Sequence, residues 1–135
     1  MMDVNWFAIL LSAVVYMIVG SLWYSPLLFV KPWMKMVGAN KNGMGNASKL
    51  PMLLGISFIC GLVMAYVLSV IIGALNPVSI MDGAVGGFWT WLGFVATFGL
   101  VNTLYAGKPM KLFMIDSGYY LVSLILMGMI IVWLR

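Results

Sequence analysis

The sequence predicts an all-α integral membrane protein, a bundle of four transmembrane helices, and three observations carry that prediction. Of 135 residues, 64% are hydrophobic and 7% charged, and the mean hydropathy is +1.12. A water-soluble domain carries about 25% charged residues to cover its surface, so a bilayer is the solvent that suits this chain. The apolar residues also fall into four runs, about 5–30, 51–75, 84–105 and 110–134. Each is near the roughly 20 residues that a helix needs to cross the hydrocarbon layer. Finally, every lysine sits in one of two connections: Lys31, Lys35, Lys41 and Lys49 after the first run, Lys108 and Lys111 after the third. Short basic loops stay on the cytoplasmic side. Four spans with both basic loops on one side put both termini outside. The expectation is one four-helix domain over residues 1–135.

The formal net charge of +4 does not point to nucleic acid, because the positive charge is confined to those loops, where anionic lipid heads are its natural partners. The opening MMDVNWFAILL carries Asp3 where a signal peptide has a basic region and shows no small-residue cleavage site. The first run should therefore remain as a span. Cys60 is the only cysteine and histidine is absent. No disulfide framework or redox pair can form, and the commonest metal ligand and acid–base group is missing. Met34/Met36 and Met127/Met129 are thioether pairs of a kind that can hold copper(I), but methionine is ordinarily flexible apolar filling. No cofactor is expected.

In chain order, Trp6 marks the outer end of the first span, and Trp23 and Tyr24 its inner end, where amphipathic rings favour the headgroup zone. Ser25-Pro26 follows; proline removes an amide donor, so the helix should kink or end near Trp23, and the freed carbonyl needs another donor. Residues 29–37, FVKPWMKMV, read as an interfacial segment with Pro32 opening a turn. Gly38, Asn40, Asn42, Gly43, Gly45 and Asn46 make the next stretch a mobile loop, and on the cytosolic side its Asn46-Ala47-Ser48 sequon carries no weight. The second span places Ser57, Gly61, Ala65, Ser69 and Gly73 at every fourth position, a small-residue stripe that lets two helix backbones approach closely. Asn76-Pro77 ends that span. The third opens with the close-packing pair Gly83 and Gly87, carries Trp89 and Trp91 near the outer leaflet, and places Thr97, Asn102 and Tyr105 toward the cytosol. Pro109 opens the fourth. A shift of 77 residues lays Lys31-Pro32 over Lys108-Pro109 and Ser25 over Asn102. In that register the two hairpins would be a parallel duplication.

Asp116 is the ionisable side chain that falls well inside a span. It lies six residues past Met110, about 9 Å along a helix, hence within the cytoplasmic leaflet. A carboxylate at a helix centre costs about 2.5–3.5 kcal/mol on insertion scales, and less near the edge, so it should face the bundle and find partners. Tyr119 and Tyr120 follow one turn on, with Ser123 beyond them. The topology brings Ser21, Tyr24 and Ser25 of the first span and Asn102 and Thr103 of the third to the same depth. The cluster Asp116, Tyr120, Tyr119, Asn102, Tyr24 and Ser25 is either a hydrogen-bonded clasp that fixes helix orientation or an ion or proton site.

Trp23-Tyr24-Ser25-Pro26, Lys31-Pro32-Trp33-Met34, Gly93-Phe94-Val95-Ala96-Thr97 and Lys111-Leu112-Phe113-Met114-Ile115-Asp116-Ser117-Gly118-Tyr119 together resemble a bacterial family of small four-span membrane proteins of unknown function. The resemblance implies multi-pass architecture and no assigned activity. In similar members a histidine often follows the tyrosine; Tyr120 stands there in this chain, so an Asp–His proton pair is not available. No Ser-His-Asp or Cys-His set exists and no second carboxylate accompanies Asp116. The expected function is therefore non-enzymatic: a packing, assembly or accessory component, self-associating or bound to a membrane-protein partner through the stripe on the second span. The alternative is a small oligomeric proton- or ion-coupled transporter or channel using Asp116.

Overall fold

The computed structural model describes residues 3–37 and 48–135; most of the loop expected at 38–49, with Lys41 and Asn46, lies outside the described residues. Its helices are α1 (Trp6–Trp23), α2 (Val30–Val37), α3 (Leu50–Ala74), α4 (Ile80–Thr90), a π-helical turn (Trp91–Ala96), α5 (Thr97–Tyr105) and α6 (Met110–Trp133). The π turn joins α4 and α5 into one continuous span, Ile80–Tyr105, and four helices are thus long and apolar enough to cross a membrane. Among the described residues there is no strand. All five prolines, at positions 26, 32, 51, 77 and 109, lie outside the helix interiors or in their first turns, where no intrahelical bond is lost.

Helix ends explain where the observed spans differ from the expected ones. The first run is apolar to residue 30, yet α1 stops at Trp23. Pro26 cannot donate to the Leu22 carbonyl, and Ser25 supplies the replacement, its hydroxyl donating to Leu22 O at 2.7 Å. Phe29 N closes back on Trp23 O at 3.1 Å, and the chain turns directly into α2. The third span begins four residues earlier than expected. Ser79 caps α4, and Asp82 Oδ2 accepts from the Val78 and Ser79 amides at 2.8 and 2.9 Å, a reciprocal capping box. Asp82 is thereby accounted for as a cap. The turn before α6 is closed by Gly107, at φ +67°. Its amide donates to Leu104 O, and Lys108 N donates to Thr103 O at 3.1 Å, the paired bonds of a left-handed C-terminal cap.

α6 is the central helix. Of its most apolar stretch 44% is buried, against 28%, 22% and 17% for the first, second and third spans. It packs on α1, on α4 and, less extensively, on α3, while α1 also packs along α3. Between α4 and α6 the backbones are almost in contact: a Cβ added at Gly83 would lie 2.2 Å from Gly128 O, and one at Gly87 2.2 Å from Leu124 O. The buried core lies among α1, α3 and α6, with Ile9, Leu68, Ile72, Leu124, Met127 and Ile131 at its centre. The two chain ends meet on one side of the bundle. There the Asn5 side chain accepts from the Phe7 and Ala8 amides to cap α1 and donates to Leu134 O at 2.5 Å.

The small-residue stripe of α3 faces α1. Gly61 and Ala65 are buried, with the Tyr16 ring so close that a Cβ on Gly61 would fall 2.7 Å from it; Ser57, Ser69 and Gly73 are half-buried.

Candidate functional site

Asp116 sits in the second turn of α6, half-buried, and faces a cleft of about 610 Å³ at the lysine-bearing end of the bundle. The walls come from three spans and the short α2: Tyr16, Gly20 and Tyr24 on the α1 side, Trp33 on α2, Leu50, Leu53, Leu54 and Ser57 on α3, and Asp116, Tyr119 and Tyr120 on α6. That volume lies within the range of about 300–1,000 Å³ typical of small-ligand sites.

The carboxylate is held by Tyr24, whose hydroxyl donates to Asp116 Oδ1 at 2.6 Å. This is the short distance of a charge-assisted O–H···O bond. The early end of α1 makes it possible: Tyr24 is the C-cap residue, with its backbone already leaving the helix, so the phenol turns toward α6. The Trp33 indole faces the same carboxylate. Among the described residues, no lysine or arginine shares in these interactions.

Around the acid runs a continuous aromatic wall. Tyr24 meets Trp33 edge-on at 5.5 Å between ring centroids and Tyr119 at 5.5 Å; Tyr119 lies 5.0 Å from Tyr120 and stacks on Tyr16 at 5.3 Å. These are the offset and edge-to-face distances at which aromatic pairs attract. Tyr119 is fixed by its hydroxyl, which donates to the Tyr16 carbonyl at 3.0 Å inside the bundle. Gly20 leaves the opening for it, since a Cβ there would be 2.8 Å from the Tyr119 hydroxyl oxygen.

Two further indoles clamp the backbone on either side of Asp116. Trp23 Nε1 donates to Ile115 O at 2.9 Å, and Trp91 Nε1 donates to Ser117 O at 2.8 Å. Neither contact is legible as a pattern in the sequence. Trp23 reads as a headgroup anchor, but its indole turns inward across Gly118, where a Cβ would come within 3.1 Å of the ring. Trp91 reads as an outer-leaflet residue, yet α4 begins at Ile80 and places it eleven residues into the span, about 16 Å along. It opens the π turn, which is bracketed by Thr90 and Thr97, whose hydroxyls donate to Gly86 O and Gly93 O at 2.8 Å each. Such bulges recur at functional sites.

Of the residues expected to gather here, Asp116, Tyr24, Tyr119 and Tyr120 line one cleft, joined by Tyr16 and Trp33, which were not foreseen. Ser25 does not join them; its hydroxyl and its amide both donate to the Leu22 carbonyl, to which Pro26 cannot donate. Asn102 is exposed on α5 and does not line the cleft, and Thr103 is buried apart from it. α5 starts beyond the π turn, and Asn102 falls on its exposed face. Ser123 is fully buried and likewise outside the cleft. Among the described residues no group of three or more acidic, cysteine or histidine side chains could hold a metal ion.

Fold and site together define a multi-pass helical membrane protein with a single carboxylate facing an aromatic-lined cleft. Residues 7–132 match the family described as Protein of unknown function (DUF1761), and the chain belongs to that family. No curated protein and no solved structure matches it.

Proposed function

We propose that this protein is a non-enzymatic ligand-binding protein of the prokaryotic inner membrane, in which Asp116 is the charge that an ion- or proton-coupled carrier needs. The observation that carries the reading is that the one carboxylate lying away from a helix end opens onto a cleft of about 610 Å³ rather than being sealed in the bundle. A purely structural clasp has no use for that space. Intramembrane acids are costly and ordinarily mark ion or substrate paths. In this reading the lysine-bearing ends of the helices are cytoplasmic, both termini are outside, and the cleft belongs to the inner leaflet. An accessory role through the α3 stripe draws less support, because α1 of the same chain already covers Gly61 and Ala65.

The test is labelling with dicyclohexylcarbodiimide, a lipophilic reagent for protonated membrane carboxyls, over a pH series that takes Asp116 from its charged to its neutral form, followed by peptide mass mapping of the purified protein in detergent. Asp116 should be labelled, and occupancy of the cleft by a bound ligand should protect it. If Asp116 stays unmodified while exposed acids react, the cleft is closed to ligands and the proposal fails. Asp116→Asn should keep the fold, since Asn retains a hydrogen-bond acceptor for Tyr24, whereas Asp116→Leu should destabilise it.

A further inference from the structure

We infer that the cleft is built for a monovalent organic cation carrying apolar groups. This deepens the ligand-binding reading above and rests on it. Three features of the same cavity converge. The fixed charge is a lone carboxylate; its hydrogen-bond donor among the described residues is the neutral Tyr24 hydroxyl, and the ring beside it, Trp33, is neutral too. A neutral or anionic guest would leave that charge uncompensated in a low-dielectric site. The wall beside the carboxylate is aromatic, with Tyr24, Tyr119, Tyr120 and Trp33 all lining the cavity. Their π faces attract cations within about 6 Å of the ring centroid, and most strongly where water is excluded. The α3 wall, Leu50, Leu53 and Leu54 with the single hydroxyl of Ser57, is almost entirely hydrocarbon. A small hydrated metal ion would gain little from that wall, and one carboxylate is too few ligands to strip its water shell. A cation with a hydrocarbon body satisfies both sides at once.

The same chemistry describes a soluble lipophilic cation and the quaternary ammonium of a lipid headgroup, so the experiment separates them. Tetraphenylphosphonium and tetraphenylborate have nearly the same shape and opposite charge. Isothermal titration of the full-length protein in an uncharged detergent should show saturable binding of the cation and none of the anion. Asp116→Asn should weaken cation binding at least tenfold, and Trp33→Leu, on the short α2, severalfold. Tyr24→Phe keeps the ring and should retain binding. Equal binding of both ions, or undiminished cation binding in Asp116→Asn and Trp33→Leu, would overturn the inference. The second arm repeats the titration in nanodiscs. Phosphatidylcholine competing with tetraphenylphosphonium, where phosphatidylglycerol does not, identifies a lipid headgroup as the occupant; no competition identifies a soluble cation. Carbodiimide labelling of Asp116 together with absent cation binding would refute the ligand class alone, whereas absent labelling across the whole pH series would refute the ligand site itself.

Discussion

Replacing Gly87 by alanine adds one methyl group where the backbones of α4 and α6 are almost in contact. The new Cβ would lie 2.2 Å from Leu124 O and 2.7 Å from Leu124 C, both backbone atoms of α6. Ordinary contact begins near 3.4 Å, so α4 and α6 would have to separate by about 1.2 Å along that direction. Neither atom is the end of a flexible side chain, so rotamer changes cannot absorb the shift. Separation would also loosen the contacts around Gly83 and Gly128, where an added Cβ meets backbone at 2.2 and 2.1 Å. Overpacking of this kind costs about 1–3 kcal/mol, and the loss of dispersion contacts along the helix pair adds to it, since transmembrane helices associate largely by close packing. Gly55→Ala is the matched control: it is also a helical glycine, and nothing lies within 4 Å of its added Cβ. Thermal unfolding in detergent, followed by circular dichroism, should show Gly87→Ala clearly destabilised and Gly55→Ala unchanged or slightly stabilised. Equal melting of the two variants would show that the α4–α6 backbone contact does not limit stability.

Other consequences can be measured on the same preparation. Tyr24→Phe removes the donor to Asp116 Oδ1; it should cost about 1–2 kcal/mol of stability and speed carbodiimide modification of Asp116, and an unaltered labelling rate would argue against the bond. Trp91→Phe keeps a ring but loses the donor to Ser117 O, so a loss of about 1 kcal/mol is expected, detected as a lower melting temperature; no change would mean that the π turn stands without its indole anchor. Asn5→Ala uncaps α1 and cuts the tie to Leu134 O. It should cost about 1 kcal/mol and raise hydrogen exchange at the two chain ends together, whereas exchange confined to the N-terminal turn would show that the ends are not coupled.

Much of the architecture was legible because it depends on one-dimensional quantities. Apolar run length, the placement of five prolines and the confinement of lysine to two connections are properties of the chain order, and the bilayer constraint turns them into four helices. The early end of α1 follows from Pro26 in the same way, and the start of α4 at Ile80 was available from Ser79 and Asp82 at capping-box spacing, although the run of hydropathy hides it. The candidate site was legible in part. Asp116 stands out as an acid inside a span, and helical spacing puts Tyr120 on its face.

Tertiary packing decided the rest. Tyr24 reaches Asp116 because α1 stops one residue earlier and α6 lies beside it. Ser25, equally close in sequence, is consumed by its own helix end, and Asn102 is carried to an exposed face of α5. Trp23 and Trp91 have the composition of membrane anchors, yet both donate to carbonyls of α6, since a buried indole N–H takes the nearest acceptor that the packing offers. Gly20 and Gly118 matter only because particular rings pass over them. The sequence by itself therefore determined that this chain forms four membrane-crossing helices with one costly acid among them. Only the tertiary structure decided that the acid faces an open aromatic cleft, because which side chains share a space depends on helix ends, rotation and approach, and none of these is written in local composition.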